Sequence, residues 1–216
     1  MTDINIKVPA VDEAVEVAKS LFEKLIYPAT EEVGEAIKDQ FTFWRGKRKV
    51  NLLIKSHEFL KSKGLEAKHI PAKLLYPILE LGSLEDDDAL QIKWSSMLAN
   101  AVKDPTKVKQ SYPEILKQLG SMEVQILDSF YNGYVISDEN NKKQMKLFME
   151  KVSTVFQITP NETEIIADNF LRLNLFQFPS SDGGMTIGDS PVLVRNKKYL
   201  EITALGIDFI QSCKFE

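Results

Sequence analysis

The sequence predicts a mainly α protein: an N-terminal helical region over residues 1–110, then a winged-helix-like domain with a small β-hairpin over 111–216. Three observations carry that expectation. Apolar residues recur at spacings of three and four through most of the first half, as one buried helix face requires. Strand-favouring and turn-forming stretches gather late, between residues 175 and 203. The chain has 216 residues, 44% apolar and 27% charged, an ordinary globular composition for one large domain or two small ones.

The elements follow in order. Val11, Val15, Ala18, Phe22, Leu25 and Ile26 mark a helix beginning near residue 9, and Pro28 ends or kinks it near Tyr27. Val33, Ala36, Ile37 and Phe41 continue the pattern. Gly46 permits a break, and Val50, Leu53, Ile54, Phe59 and Leu60 then predict a helix closing at Gly64. HIPAKLLYPILELG at 69–82 is a shorter helix, with Pro71 in its first turn, Pro77 bending it and Gly82 closing it.

SLEDDDALQIKWSSMLANA at 83–101 opens with four adjacent acids. On a helix, successive residues point about 100° apart, so Glu85, Asp86, Asp87 and Asp88 fan out and cannot enclose one ion. The expected reading is a cap, with Ser83 at the N-cap and Asp86 three places on. Acids there meet free backbone N–H groups, and Leu90, Trp94, Met97, Leu98, Ala101 and Val102 form one buried face. Residues 101–113 read as a polar linker, and YPEILKQLG at 112–120 as a short helix. Ser121 is the expected N-cap of the next helix, with Glu123 in its first turn.

The winged-helix motif is expected at about 121–213. MKLFMEKVSTVF at 145–156 reads as one helix. TPNE at 159–162 is a strong helix start, with Thr159 as N-cap, Pro160 at the first helical position and Glu162 completing a capping box; this helix runs to about Leu173. LFQF at 175–178 is a strand, 179–191 a turn-rich loop, and VLVRNKKYLEIT holds one or two more strands. Thr203 caps a last helix.

Three pieces resemble the abortive infection alpha family of bacteria. They are LEDDDALQIKWSSMLANAV at 84–102, SYPEILKQLGSMEVQIL at 111–127, and LRLNLF at 171–176 with ITALGIDFIQSC at 202–213. Ile202 stands where the family pattern has leucine. The resemblance spans about residues 65–213. It implies a role in phage defence, in which an infected cell stops growing or dies. The family has no established catalytic residues to carry over.

Charge is uneven along the chain. The whole carries -4, but residues 1–40 carry -5, 41–73 carry +7 and 74–216 carry -6. An acidic whole argues against coating nucleic acid in bulk; a basic segment between acidic ones can still serve a local anionic partner, including an acidic face of the same protein. FTFWRGKRK at 41–49 concentrates it, and Phe43, Trp44, Arg45, Lys47, Arg48 and Lys49 form the first candidate partner surface. Lysine and arginine suit phosphates, and rings suit bases or a membrane interface. The plainer alternative packs the rings in a helical core and leaves the cations in solvent. The wing contributes a second basic patch, Arg195, Lys197 and Lys198. A recognition helix at 160–173 would carry Glu162, Glu164 and Asp168 against Arg172 alone, which phosphates repel. The domain is therefore expected to serve as a protein-contact or structural module.

Signals of catalysis are thin. His57 and His69 lack a serine, cysteine or paired acid at a recognisable spacing. Cys213, the single cysteine, excludes an internal disulfide and reads as a small buried apolar residue. GGMTIGD at 183–189 lacks the Lys-Ser/Thr of a phosphate loop. The expectation is a non-enzymatic protein with no cofactor, no metal and no small-molecule substrate. It acts through a protein partner or self-association, the alternatives being a nucleic-acid-binding regulator and a membrane-associating toxic effector using the N-terminal amphipathic helices. With no apolar run of 18 residues, no visible signal peptide and no disulfide, the expected address is the cytoplasm.

Overall fold

A computed structural model describes residues 11–26, 47–138, 145–179, 185–187, 190–192 and 198–215. It is mainly helical, with a small antiparallel sheet, and the chain forms two compact units. One is Met1–Gln118 together with Ser212–Glu216; the other is Leu119–Gln211.

The first unit holds α1 (Val11–Ile26), α2 (Lys47–Ser62), α3 (Ala72–Gly82), α4 (Asp88–Lys103), a 3-10 turn (Pro105–Lys107) and α5 (Tyr112–Leu116). Helix α4 packs against α2 and α3, while α1 lies on α2. Trp94 is 1% exposed, with Leu52, Leu53, Ile78, Leu79, Met97 and Leu98 also buried, so the predicted apolar face of α4 is the core. Ser56 and Ser95 are buried too, and the Ser56 hydroxyl reaches the Leu52 carbonyl (2.8 Å) and the Ser95 carbonyl of α4 (3.0 Å). Small side chains bring these two helices close. Gly82 serves the same end: a Cβ there would stand 2.6 Å from Leu52 Cδ1 and 3.0 Å from Trp94 Cγ. The predicted linker is more ordered than its polarity implies. Helix α4 runs to Lys103, Asp104 caps the 3-10 turn, and Val108, Tyr112 and Pro113 are buried. Polar flanks hid three apolar anchors.

The chain returns to the first unit at its end. Asn100 Nδ2 donates to the carbonyls of Ser212 (2.9 Å) and Lys214 (2.8 Å), and Phe215 stacks on Phe59 at 5.7 Å.

The second unit holds α6 (Ser121–Ile136), β1 (Lys146–Phe148), α7 (Met149–Phe156), α8 (Pro160–Arg172), β2 (Phe176–Gln177), β3 (Met185–Ile187), β4 (Ser190–Val192), β5 (Tyr199–Ile202) and α9 (Ala204–Ser212), whose last residue belongs to the first unit. Strands β1 and β2 both pair antiparallel with β5, in the order β1-β5-β2; β3 and β4 form a separate hairpin. Leu147, Phe176 and Leu200 are buried with Phe130, Ile166, Ala167 and Phe170. Phe176 meets Phe130 edge-on at 5.3 Å and Phe170 at 5.4 Å.

Two local expectations change here. The segment 145–156 is not one helix, since Lys146–Phe148 is a strand before α7 begins. The segment 179–191 is not all loop, since it contains β3 and part of β4. In both, the hydrogen-bonding partner lies on another strand, where helix periodicity carries no trace of it.

The capping of α8 is as predicted. Thr159 N–H and Oγ1–H both donate to Glu162 Oε2 at 2.8 Å, and the Glu162 N–H donates to Thr159 Oγ1 at 3.2 Å. Thr203 caps α9 by accepting the Gly206 N–H at 2.9 Å. Helix α6 is capped differently: Gly120, not Ser121, is the N-cap, and Glu123 Oε2 accepts the Gly120 N–H at 2.7 Å. Among the described residues, no helix is long and apolar enough to cross a membrane.

Candidate functional site

The four-acid stretch is a cap, with a shifted register. Asp87, not Ser83, is the N-cap of α4: its Oδ1 accepts the N–H groups of Ala89 (2.8 Å) and Leu90 (3.0 Å). Glu85 Oε1 accepts the N–H groups of Asp86 (2.9 Å) and Asp87 (3.0 Å). The Ser83 hydroxyl turns back to the Glu80 carbonyl at 2.7 Å and finishes α3. Gln91 ties both sides, donating from Nε2 to the carbonyls of Gly82 (2.7 Å) and Glu85 (2.9 Å). The carboxylates of Glu85 and Asp87 are spent on backbone. Among the described residues, no three His, Cys, Asp or Glu side chains gather as a metal ion would need.

The other sequence candidates separate. Phe43, Trp44 and Arg45 lie outside the described residues. Lys47, Arg48 and Lys49 open α2, at the positive end of its dipole, with no acid in the first turn. Cations there are disfavoured by roughly 0.3–1 kcal/mol each, so helix stability does not explain them. Arg195 and Lys197 also lie outside the described residues, whereas Lys198 is exposed just before β5. Its carbonyl accepts the Met149 N–H at 3.0 Å, joining the start of α7 to the sheet.

His57 is half-buried on α2, and its pKa is lowered by burial first and then by Lys61 and Lys24. His69 is exposed and Cys213 is buried.

The sheet of the second unit brings together residues that local reading missed. Its inner face carries Leu147 opposite Leu200. By the alternation of strands, the outer face then carries Lys146 opposite Glu201 and Phe148 opposite Tyr199, with Gln177 also opposite Glu201. Phe148 is 43% exposed and its ring lies 5.7 Å from that of Tyr199. Lys146 Nζ lies 4.1 Å from the Tyr199 ring centre and 3.7 Å from Glu201 Oε1. Lys151, from the first turns of α7, places its Nζ 5.3 Å from the Phe148 ring centre. Phe148, Tyr199, Lys146 and Lys151 thus make an aromatic and basic face. A cleft of about 370 Å³ adjoins it, lined by Ser129, Met145, Phe148, Lys151 and the 67% exposed Val155. The signal was present in the sequence as two short alternating segments, KLF and YLEI, each with an aromatic residue one step from a buried leucine. Their pairing, more than fifty positions apart, was not.

Across the same unit, α8 exposes Glu162, Glu164 and Asp168. The Glu162 carboxyl is held below the usual carboxylate range because it accepts from the backbone and then the hydroxyl of Thr159.

No curated protein and no solved structure matches the chain. The abortive infection alpha family matches residues 47–213, which take in all of the second unit and most of the first, including the α4 cap and core face and the closing helix α9. The chain belongs to the abortive infection alpha family.

Proposed function

We propose that this protein acts in phage defence through contact with a partner, without a catalytic step, and that the second unit is a winged-helix-like domain whose sheet face makes the contact. Family membership supports the defence role at a general level. The winged-helix reading is supported by element order: helix, strand, two helices, strand, hairpin, strand, with the first and last strands side by side. The exposed Phe148, on an ordered strand and flanked by Tyr199 and lysines, carries the contact reading. Apolar area held in water is stabilised by about 25 cal/mol per Å² when a partner covers it. Under this reading the segment from Phe43 to Lys49 is a second contact surface, and the site of action is the cytoplasm.

The test is phage plating on cells that express the chain. Wild type should lower plating efficiency; Phe148→Ser with Lys151→Glu should restore it at unchanged protein level and circular dichroism. Undiminished protection by that variant would overturn the assignment of the face.

A further inference from the structure

The outer face of the sheet in the second unit has a chemistry that selects among partners. Phe148 and Tyr199 are direct cross-strand neighbours, with ring planes at 43°. Lysine ammonium groups already lie within 4.1 and 5.3 Å of those two ring centres. A base stacking on Phe148 would therefore bring its phosphate within reach of cations held on neighbouring positions. Of the nearby acids, Glu201 is paired with Lys146, and Glu150 lines the opposite cleft, between α7 and α8. Among the described residues, the face carries Lys146 and Lys151 against the one carboxylate of Glu201.

We propose that this face binds single-stranded nucleic acid, with a base stacked on Phe148 and adjoining phosphates on Lys146 and Lys151. Every base offers a flat π-face, so such binding tolerates sequence. Unpaired strands fit better than duplex for two reasons. A duplex keeps its base faces covered, and α8, the element that would enter a groove, exposes Glu162, Glu164 and Asp168 to the phosphates. An acidic peptide could meet the lysines but has no use for the ring pair. The inference rests on reading this face as a contact surface, and adds the class of partner.

The experiment is fluorescence anisotropy of labelled oligo-dT and oligo-U of about twelve nucleotides, titrated with the full chain at about 50 and about 200 mM salt. Wild type should bind at the lower salt, and the logarithm of its binding constant should fall with that of salt at a slope of about -1.4, as two phosphate contacts predict. Phe148→Ala should weaken binding roughly five-fold or more, by loss of one stacked base. Lys151→Glu should flatten the salt slope; Lys151 is exposed, so the fold survives. No binding at the lower salt overturns the proposal, as does binding indifferent to both Phe148→Ala and Lys151→Glu. Equal binding of a duplex of the same length, of poly-glutamate or of anionic vesicles also overturns it. If Phe148→Ser with Lys151→Glu abolishes phage protection while no oligonucleotide binds, the contact reading stands and the nucleic-acid assignment falls.

Discussion

Gly206 shows how far one residue is constrained. A Cβ there would stand 2.2 Å from the Leu175 carbonyl oxygen, backbone that cannot swing aside. Gly206→Ala should cost about 1–3 kcal/mol of unfolding free energy, measured by urea denaturation. Gln91 is the polar counterpart. Replacing it with leucine strands the carbonyls of Gly82 and Glu85 in a part-buried place, for a loss of about 1–3 kcal/mol. His57 sets a pH dependence. Its pKa is lowered, so the folded state holds its proton less tightly than the unfolded chain does. Stability should therefore be unaffected by His57 above the ordinary imidazole range near 6.5 and should fall as pH drops through it. Melting temperatures of wild type and His57→Gln, compared across that range, should diverge on the acid side.

Among the elements, helix α8 was readable end to end. Thr159, Pro160 and Glu162 specify its start through local hydrogen bonds that need no distant partner. Thr159→Ala should destabilise it by about 1 kcal/mol, seen as faster amide exchange in its first turns. Glu162 has a depressed pKa, so its contribution is present above the usual carboxylate range and is lost as pH falls through the folded value. Acidification should fray α8 at its first turn, and Glu162→Gln should remove that acid sensitivity. Strand β1 is the opposite case. KLF continues into MEKVSTVF, whose helical spacing is strong, and only pairing with Tyr199–Glu201 makes it a strand. The same holds for β3 and β4, each three residues long and paired with each other. Cap positions slipped for a related reason. Ser83 and Ser121 have the right chemistry, but the Ser83 hydroxyl bonds back to Glu80, and Glu123 caps through Gly120 instead.

For the molecule as a whole, the chain crosses between its two units twice, near residues 118 and 211. The second unit, produced as residues 119–211, has its own aromatic core around Phe176 and should unfold as a cooperative transition by calorimetry. Asn100 holds the returning tail through two carbonyls, so Asn100→Ala should speed amide exchange in residues 212–215 before it lowers overall stability. The sequence by itself determined the helical class, the buried face of α4 with Trp94, the capping box of α8 and the family, because these rest on spacing and on bonds within a few residues. It did not reveal the aromatic and basic face. Phe148 and Lys146 share that face with Tyr199 only because β1 pairs with β5, and Lys151 joins them only because α7 starts where β1 ends. Strand pairing at long range is decided by burial of Leu147 against Leu200, an energy that belongs to the folded core and to no single segment.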